Sequence, residues 1–222
     1  TLRGAGVRLA KLDGEIDAAR TAWREVAQVL SARRRESAAH LSSSTSALIG
    51  ELGMGGGRFD VELEPLETER PDPQGAERVE FMVAANPGQP ARPLRKVASG
   101  GELSRISLAI EVAALGLDAV ATMVFDEVDT GIGGGVAEIV GQKLRALGAS
   151  RQVLCVTHLP QVAAQGHAHY RVSKAKSEGV TQSAVQLLKA KEREEELARM
   201  LGGVELTREA RAAAKRLLAD VV

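Results

Sequence analysis

The sequence predicts an α/β fold led by one long helix, and three observations carry that prediction. Residues 7–52 hold an apolar seam at alternating spacings of three and four, the pattern of a coiled coil. Beyond Gly53–Gly57, strand-like and helix-like stretches alternate, as in a sheet with flanking helices. Two of the strand-like runs end in chemistry-bearing residues. Thr122–Phe125 leads into Asp126-Glu127, and Val153–Thr157 leads into His158.

Leu9, Leu12, Ile16, Ala19, Trp23, Val26 and Leu30 form the first part of the seam. A four-residue stutter after Leu30 restores the register for Ala38, Leu41, Thr45, Leu48 and Leu52. At the rise of an α-helix this element is about 65 Å long. A single seam cannot stabilise so long a helix by itself, so a partner helix from outside this stretch is expected. Arg33-Arg34-Arg35 lies at the stutter and reads as a solvated face.

Gly53–Gly57 stops the helix. Arg58–Leu63 and Arg78–Ala84 read as strands joined by the Pro- and Glu-rich loop Glu64–Gly75, and Asn86–Pro93 as a second loop. Helix Gly101–Leu115 carries Leu103, Ile106, Leu108, Ile110 and Val112 over much of its circumference and should be buried. Strand 120–125, the turn Gly131–Gly135, helix 136–147, strand 153–157 and a short helix near Gln161–Ala164 follow. Strands Tyr170–Ser173 and Gln182–Leu188 come next, then helices near 191–201 and 208–219. Gly202-Gly203 ends the first of these helices and Thr207 caps the second. The organisation is a coiled-coil arm over 1–52 and an α/β lobe over 53–222.

Composition narrows the function. The formal net charge is zero, so no global basic field attracts nucleic acid, and any DNA contact must be local or made by another part of the molecule. Aromatic residues are scarce, which argues against base-stacking platforms. Apolar runs are too short to cross a bilayer, and the single cysteine, Cys155, sits in an apolar strand pattern. Both features fit a cytoplasmic protein with no membrane partner. His167 and His169 have metal-like spacing, but no further ligand cluster accompanies them.

The chemistry gathers at the strand ends, where ligands bind in open α/β sheets. Of two adjacent carboxylates, Asp126 suits Mg²⁺ held through its water shell. Glu127 suits a base that activates water. Ser99-Gly100-Gly101-Glu102 opens a helix whose N–H groups and positive end favour an anion, and glycine lets a phosphate come close. An ordinary capping box, Ser99 with Glu102, explains the same residues structurally. His158 is placed to donate a hydrogen bond to a terminal phosphate. Asp129 is placed to cross a dimer interface.

These motifs, in this order, resemble the second half of an ATP-binding-cassette head. Ala98–Arg105 resembles the ABC signature, with Ala98 in place of the usual leucine. Thr122–Glu127 resembles Walker B, Val128–Gly131 the D-loop, and Val156-Thr157-His158 the switch-histidine loop. Longer stretches narrow the likeness to SMC-like ATPases of bacterial DNA double-strand-break repair and recombination. They are Lys96–Arg105, Phe125–Ile132, Cys155–Ala163, Leu52-Gly53-Met54 and Glu196–Gly203.

The resemblance implies the C-terminal lobe of an ABC/SMC-type ATPase head with the descending half of its coiled coil. It implies ATP and Mg²⁺ as cofactors, Asp126 on the metal, Glu127 as catalytic base and His158 on the γ-phosphate. Ser99, Gly100, Gly101 and Glu102 then bind the nucleotide of a second head in an ATP-sandwich homodimer, and Asp129 couples the two sites. The remaining partners are an N-terminal head lobe carrying Walker A, and DNA bound by the complete, nucleoid-associated protein. The phosphate loop G-x-x-x-x-G-K-[ST] does not occur in this chain, which is therefore expected to be inactive alone. Two alternatives remain: an ABC transporter ATPase half, and an architectural coiled-coil module that bridges DNA without nucleotide chemistry. The long seam upstream of the signature argues against the transporter, and the paired carboxylates with His158 argue against the architectural module.

Overall fold

A computed structural model describes residues 2–67, 70–97, 99–114, 120–177, 180–202 and 206–221. The expectations placed on Ala98, Leu115 and Gly203 lie outside the described residues. Helix α1, Leu2–Glu51, is unbroken through the stutter. Its outer seam residues Leu9, Leu12, Ile16 and Val26 are exposed. Its last turns enter the lobe, where Thr45, Ile49 and Leu52 are fully buried.

Strand β1, Arg58–Pro65, pairs antiparallel with β2, Glu77–Ala84, with Phe59 opposite Val83 and Val61 opposite Phe81. The short β3, Arg92–Pro93, adds to β2 and leads into a 3₁₀ turn, Leu94–Lys96. The free edge of β1 is closed by hydroxyls of α1. Ser46 Oγ accepts the Phe59 N–H at 3.0 Å and donates to the Phe59 carbonyl at 3.1 Å. Ser42 Oγ accepts the Val61 N–H at 3.0 Å. Serines that weaken a helix interior thus cover a strand edge that would otherwise invite pairing.

The β1–β2 loop folds back on the arm. Trp23 Nε1 donates to the Asp72 carbonyl at 2.9 Å, and Arg34 Nη2 to that of Gln74 at 2.7 Å. Arg34 also lies 3.6 Å from the Glu77 carboxylate. Gly75, at φ 106°, comes so close to Leu30 and Arg34 that a Cβ there would stand 2.9 Å from Leu30 Cδ2. Arg33 and Arg35 are exposed as expected of a solvated face, but Arg34 is half-buried and bound to the loop. The sequence run concealed this because its partners, two backbone carbonyls and the Glu77 carboxylate, lie some 40 residues further along the chain.

Helix α2, Gly100–Ala113, precedes β4, Thr122–Phe125. Helix α3, Gly134–Leu147, connects β4 to β5, Gln152–Cys155, and the two strands pair in parallel with Phe125 opposite Cys155. Helix α4, Pro160–Gln165, leads to a hairpin of β6, Tyr170–Ser177, and β7, Val180–Leu187. Helices α5, Ala190–Gly202, and α6, Arg208–Ala219, close the fold, with Thr207 Oγ1 accepting the Ala210 N–H. The described strands form three small sheets, and only β4–β5 is parallel.

One core joins the end of α1 to β1, β2, α2, β4 and α3 through Ile49, Phe59, Val83, Ile106, Leu108, Phe125 and Val140. A smaller cluster of Ala163, Ala164, Leu197, Ala198 and Ala214 joins α4, α5 and α6. The expected arm boundary at residue 52 falls at the end of α1.

Candidate functional site

Parallel pairing in register makes β4 and β5 end together. The Val156 N–H extends the ladder by donating to the Phe125 carbonyl at 2.9 Å. Asp126 and Thr157 therefore leave the sheet at its carboxyl edge. Beyond β4 the chain turns sharply. Glu127 adopts φ 58°, a left-handed conformation costing a non-glycine residue about 1–2 kcal/mol. Local hydrogen bonds hold it there. Asp126 Oδ1 accepts the Glu127 N–H at 2.9 Å, and the Glu127 carbonyl accepts the Thr130 N–H at 3.0 Å.

Helix α2 starts against this turn. Ser99 is its N-cap and accepts the Glu102 N–H on Oγ at 3.4 Å. Ser104 Oγ donates to the Asp126 carbonyl at 2.6 Å, and Arg105 Nη1 to that of Thr130 at 2.8 Å. The two glycines permit the approach. A Cβ on Gly100 would collide with the Glu127 carboxylate. One on Gly101 would stand 3.1 Å from the Thr130 carbonyl oxygen and 3.2 Å from that of Glu127. Ser99, Gly100, Gly101, Asp126 and Glu127 thus form one cluster, with both carboxylates and the cap exposed and Gly101 buried.

A second cluster lies on the inner side of the same turn. Asp129, which the sequence places to cross a dimer interface, is 2% exposed within this lobe. Its Oδ2 accepts from Thr157 Oγ1 at 2.5 Å, the His158 N–H at 2.9 Å and the Leu159 N–H at 3.3 Å. The His158 ring is 69% exposed, with Nδ1 3.2 Å from the same oxygen. Within this turn Asp126 and Glu127 are exposed, Asp129 is buried, and Glu127 holds the left-handed conformation between them.

Sequence reasoning missed Ser104, Arg105 and Thr157 as working parts of the site. Arg105 had a signal: it is the one basic residue of a largely apolar helix. It is buried, its Nε has no partner among the described residues, and burial pulls its guanidinium down against the opposing pull of Glu102. Thr157 had none, since a hydroxyl after an apolar strand is ordinary. Burial, reinforced by Asp129 and then Asp126, pushes the Cys155 thiol up to about 12.

The donor set fits a nucleotide triphosphate with magnesium. The start of α2 offers first-turn N–H groups that the helix ladder leaves free, while the space beside Gly100 is held by the Glu127 carboxylate. Among the described residues no group of three His, Cys, Asp or Glu could hold a metal unaided. Asp126 suits Mg²⁺, which needs only one or two carboxylates when phosphates and waters complete its shell.

No family model matches the chain. Among solved structures, the fold resembles the Smc head domain with a coiled coil and joint from Pyrococcus yayanosii. The TM-score is 0.60 at 19% identity, covering 86% of this chain and 35% of that one. The Pyrococcus furiosus Smc head with an extended coiled coil, bound to the C-terminal domain of ScpA, gives 0.55 at 18% identity, covering 82% and 43%. The fold is therefore that of an SMC-type head domain carrying a coiled-coil arm.

Curated relatives are closer in sequence. DNA repair protein RecN of Xylella fastidiosa strain 9a5c is 63% identical over 221 residues, all of this chain and 40% of that protein. The RecN of Haemophilus influenzae is 45% identical over 192 residues, covering 86% and 34%. That of Deinococcus radiodurans is 46% identical over 192 residues, covering 86% and 33%. The chain belongs to the RecN family and matches the carboxyl-terminal portion of its members. It spans about 40% of the length of the first of these relatives.

Proposed function

We propose that this chain supplies the carboxyl-terminal half of an ATP-hydrolysing head and the descending half of its arm, within a cytoplasmic, nucleoid-associated protein acting in DNA double-strand-break repair. The observation that carries the reading is the junction of the α2 start with the 126–130 turn, beside a loop that presents His158. Residues 1–52 act as the arm and 53–222 as the lobe. Asp126 would hold a magnesium ion through its water shell, and the ion when bound would offset phosphate charge. Glu127 takes a proton from the attacking water on a carboxylate oxygen. His158 donates from Nε2 to the terminal phosphate. The first turn of α2, with Ser99, Gly100, Gly101 and Glu102, receives the terminal phosphate of a nucleotide held by a second head. The amino-terminal portion of the protein supplies the phosphate loop and the ascending helix.

The transporter alternative fits poorly with α1, which runs without a break from an exposed arm into the core. The architectural alternative is separated by experiment, in a full-length RecN carrying this sequence as its carboxyl-terminal part. Glu127→Gln keeps size and hydrogen bonding but removes the base. Turnover should fall by about 100-fold or more while ATP-dependent head pairing persists in sedimentation. Hydrolysis within a few-fold of wild type would show that Glu127 is not the base. No hydrolysis in the wild-type protein would favour the architectural module. The chain alone should show no micromolar Mg-ATP site by calorimetry, because the phosphate loop carries most of the donors.

A further inference from the structure

We propose that Asp129 is a positioning residue for His158, holding the ring within one lobe so that Nε2 faces the nucleotide. The inference rests on the reading of His158 as the phosphate-facing group. A single buried oxygen, Asp129 Oδ2, collects the Thr157 hydroxyl, the His158 and Leu159 N–H groups and the edge of the His158 ring. Three consecutive residues of the loop after β5 thus hang from the turn after β4. Thr157 Oγ1 in turn accepts the Leu159 N–H at 3.0 Å, which closes the loop on itself.

Among the described residues, the ion-pair partner of Asp129 is His158, and no lysine or arginine joins it. Cys155, on β5, is near enough to feel both Asp129 and Asp126. A proton on Nδ1 would face Asp129 Oδ2, 3.2 Å away, and leave Nε2 free on the other side of a ring that is 69% exposed. A ring that also donates from Nε2 to a phosphate carries a proton on both nitrogens and is an imidazolium. The Asp129 carboxylate balances that charge and fixes the ring rotation, the part a buried aspartate plays behind a catalytic histidine. It also links the two clusters. A shift of the 126–130 turn, which α2 grips through Ser104 and Arg105, moves His158 with it.

Two measurements test the proposal. Long-range ¹H–¹⁵N correlation spectra of this chain at alkaline pH read the neutral His158 ring. The proton should sit on Nδ1 in the wild type and move to Nε2 in Asp129→Ala. In a full-length RecN carrying the sequence, Asp129→Asn keeps an acceptor oxygen for the loop but removes the charge. Its kcat should fall roughly 10- to 100-fold, the size of loss that follows from misplacing a reacting group. KM for ATP should stay within about threefold, the split expected when an interaction acts in the transition state. The double variant Asp129→Asn, His158→Ala should be no slower than His158→Ala alone. A wild-type ring protonated on Nε2, or losses that multiply in the double variant, would overturn the proposal. If Asp129→Ala fails to fold, the wild-type ring and the asparagine cycle still decide. If the wild-type protein hydrolyses no ATP, the functional reading falls, and the ring spectra alone decide whether Asp129 holds His158.

Discussion

At Gly101 a hydrogen in place of a methyl group decides how closely α2 lies on the turn after β4. The obstacles to a Cβ are the backbone carbonyls of Glu127 and Thr130 and the Cβ of Thr130, all fixed by the backbone of the turn. Alanine favours a helix by about 1 kcal/mol over glycine. Overpacking of this kind costs about 1–3 kcal/mol. Gly101→Ala should therefore lower the unfolding midpoint in urea, and an unchanged midpoint would mean that the turn can retreat. Cys155 is governed by burial in a different way. Burial pushes its thiol up to about 12, so the thiolate is strongly disfavoured at neutral pH. Alkylation of the folded chain at pH 8 should be slow and become fast in denaturant. Reaction at the rate of a free thiol would show that the β5 end opens readily.

Elements meet through a few charged anchors, and the sequence disclosed some of them better than others. On α5, Glu196 is buried and Arg199 grips its carboxylate at 2.6 Å. The Arg199 hydrogen bond holds Glu196 below its usual value, burial opposes this, and Arg171 and His169 assist. A depressed carboxylate stabilises the fold above its ordinary value of 4.5 and ceases to as the pH falls through its folded value. Acid titration of stability should therefore be flatter in Glu196→Gln than in the wild type below about pH 5. Equal slopes would remove Glu196 from the account. On α1, the only tryptophan of the chain reports the loop that clasps the arm. Arg34→Ala should loosen that loop and shift Trp23 emission to the red, whereas Arg33→Ala, at an exposed position, should not. The arm, the strand-ending carboxylates and the Thr207 cap were legible because periodicity and capping are local. The clasp was not, because the partners of Trp23 and Arg34 lie far along the chain. The burial of Asp129 was not, because its partners stand on the loop after β5. The β4 strand was legible and its isolation from the other sheets was not, since alternation says nothing of which strands pair.

At the scale of the whole molecule, the unsatisfied surfaces have a definite geography. Val124 and Leu154 are register partners on β4 and β5, and Val156 follows two residues on. They are 66%, 47% and 61% exposed, which puts an apolar strip on one face of the parallel pair. Leu9, Leu12 and Ile16 expose a second strip along the arm, far along the chain from the first. Parallel pairs ordinarily have both faces covered, and a lone arm helix needs a partner. The chain accounts for 40% of its Xylella relative, and under the proposed function the two surfaces pair with two separate parts of the head and arm. The strips should therefore respond independently to substitution. Threonine matches valine in shape and suits a strand, so Val124→Thr, Leu154→Thr and Val156→Thr together should leave the fold intact by circular dichroism. Losing apolar burial at these three sites costs about 1 kcal/mol or more each, on the order of a hundredfold in affinity together. Mixed with the amino-terminal portion of a RecN, the triple variant should lose capture of the head lobe while still pairing with an isolated ascending helix. Leu9→Ser with Ile16→Ser should do the reverse. If the triple variant captures the amino-terminal lobe as tightly as the wild type, the β4–β5 face is not where the two halves of the head meet.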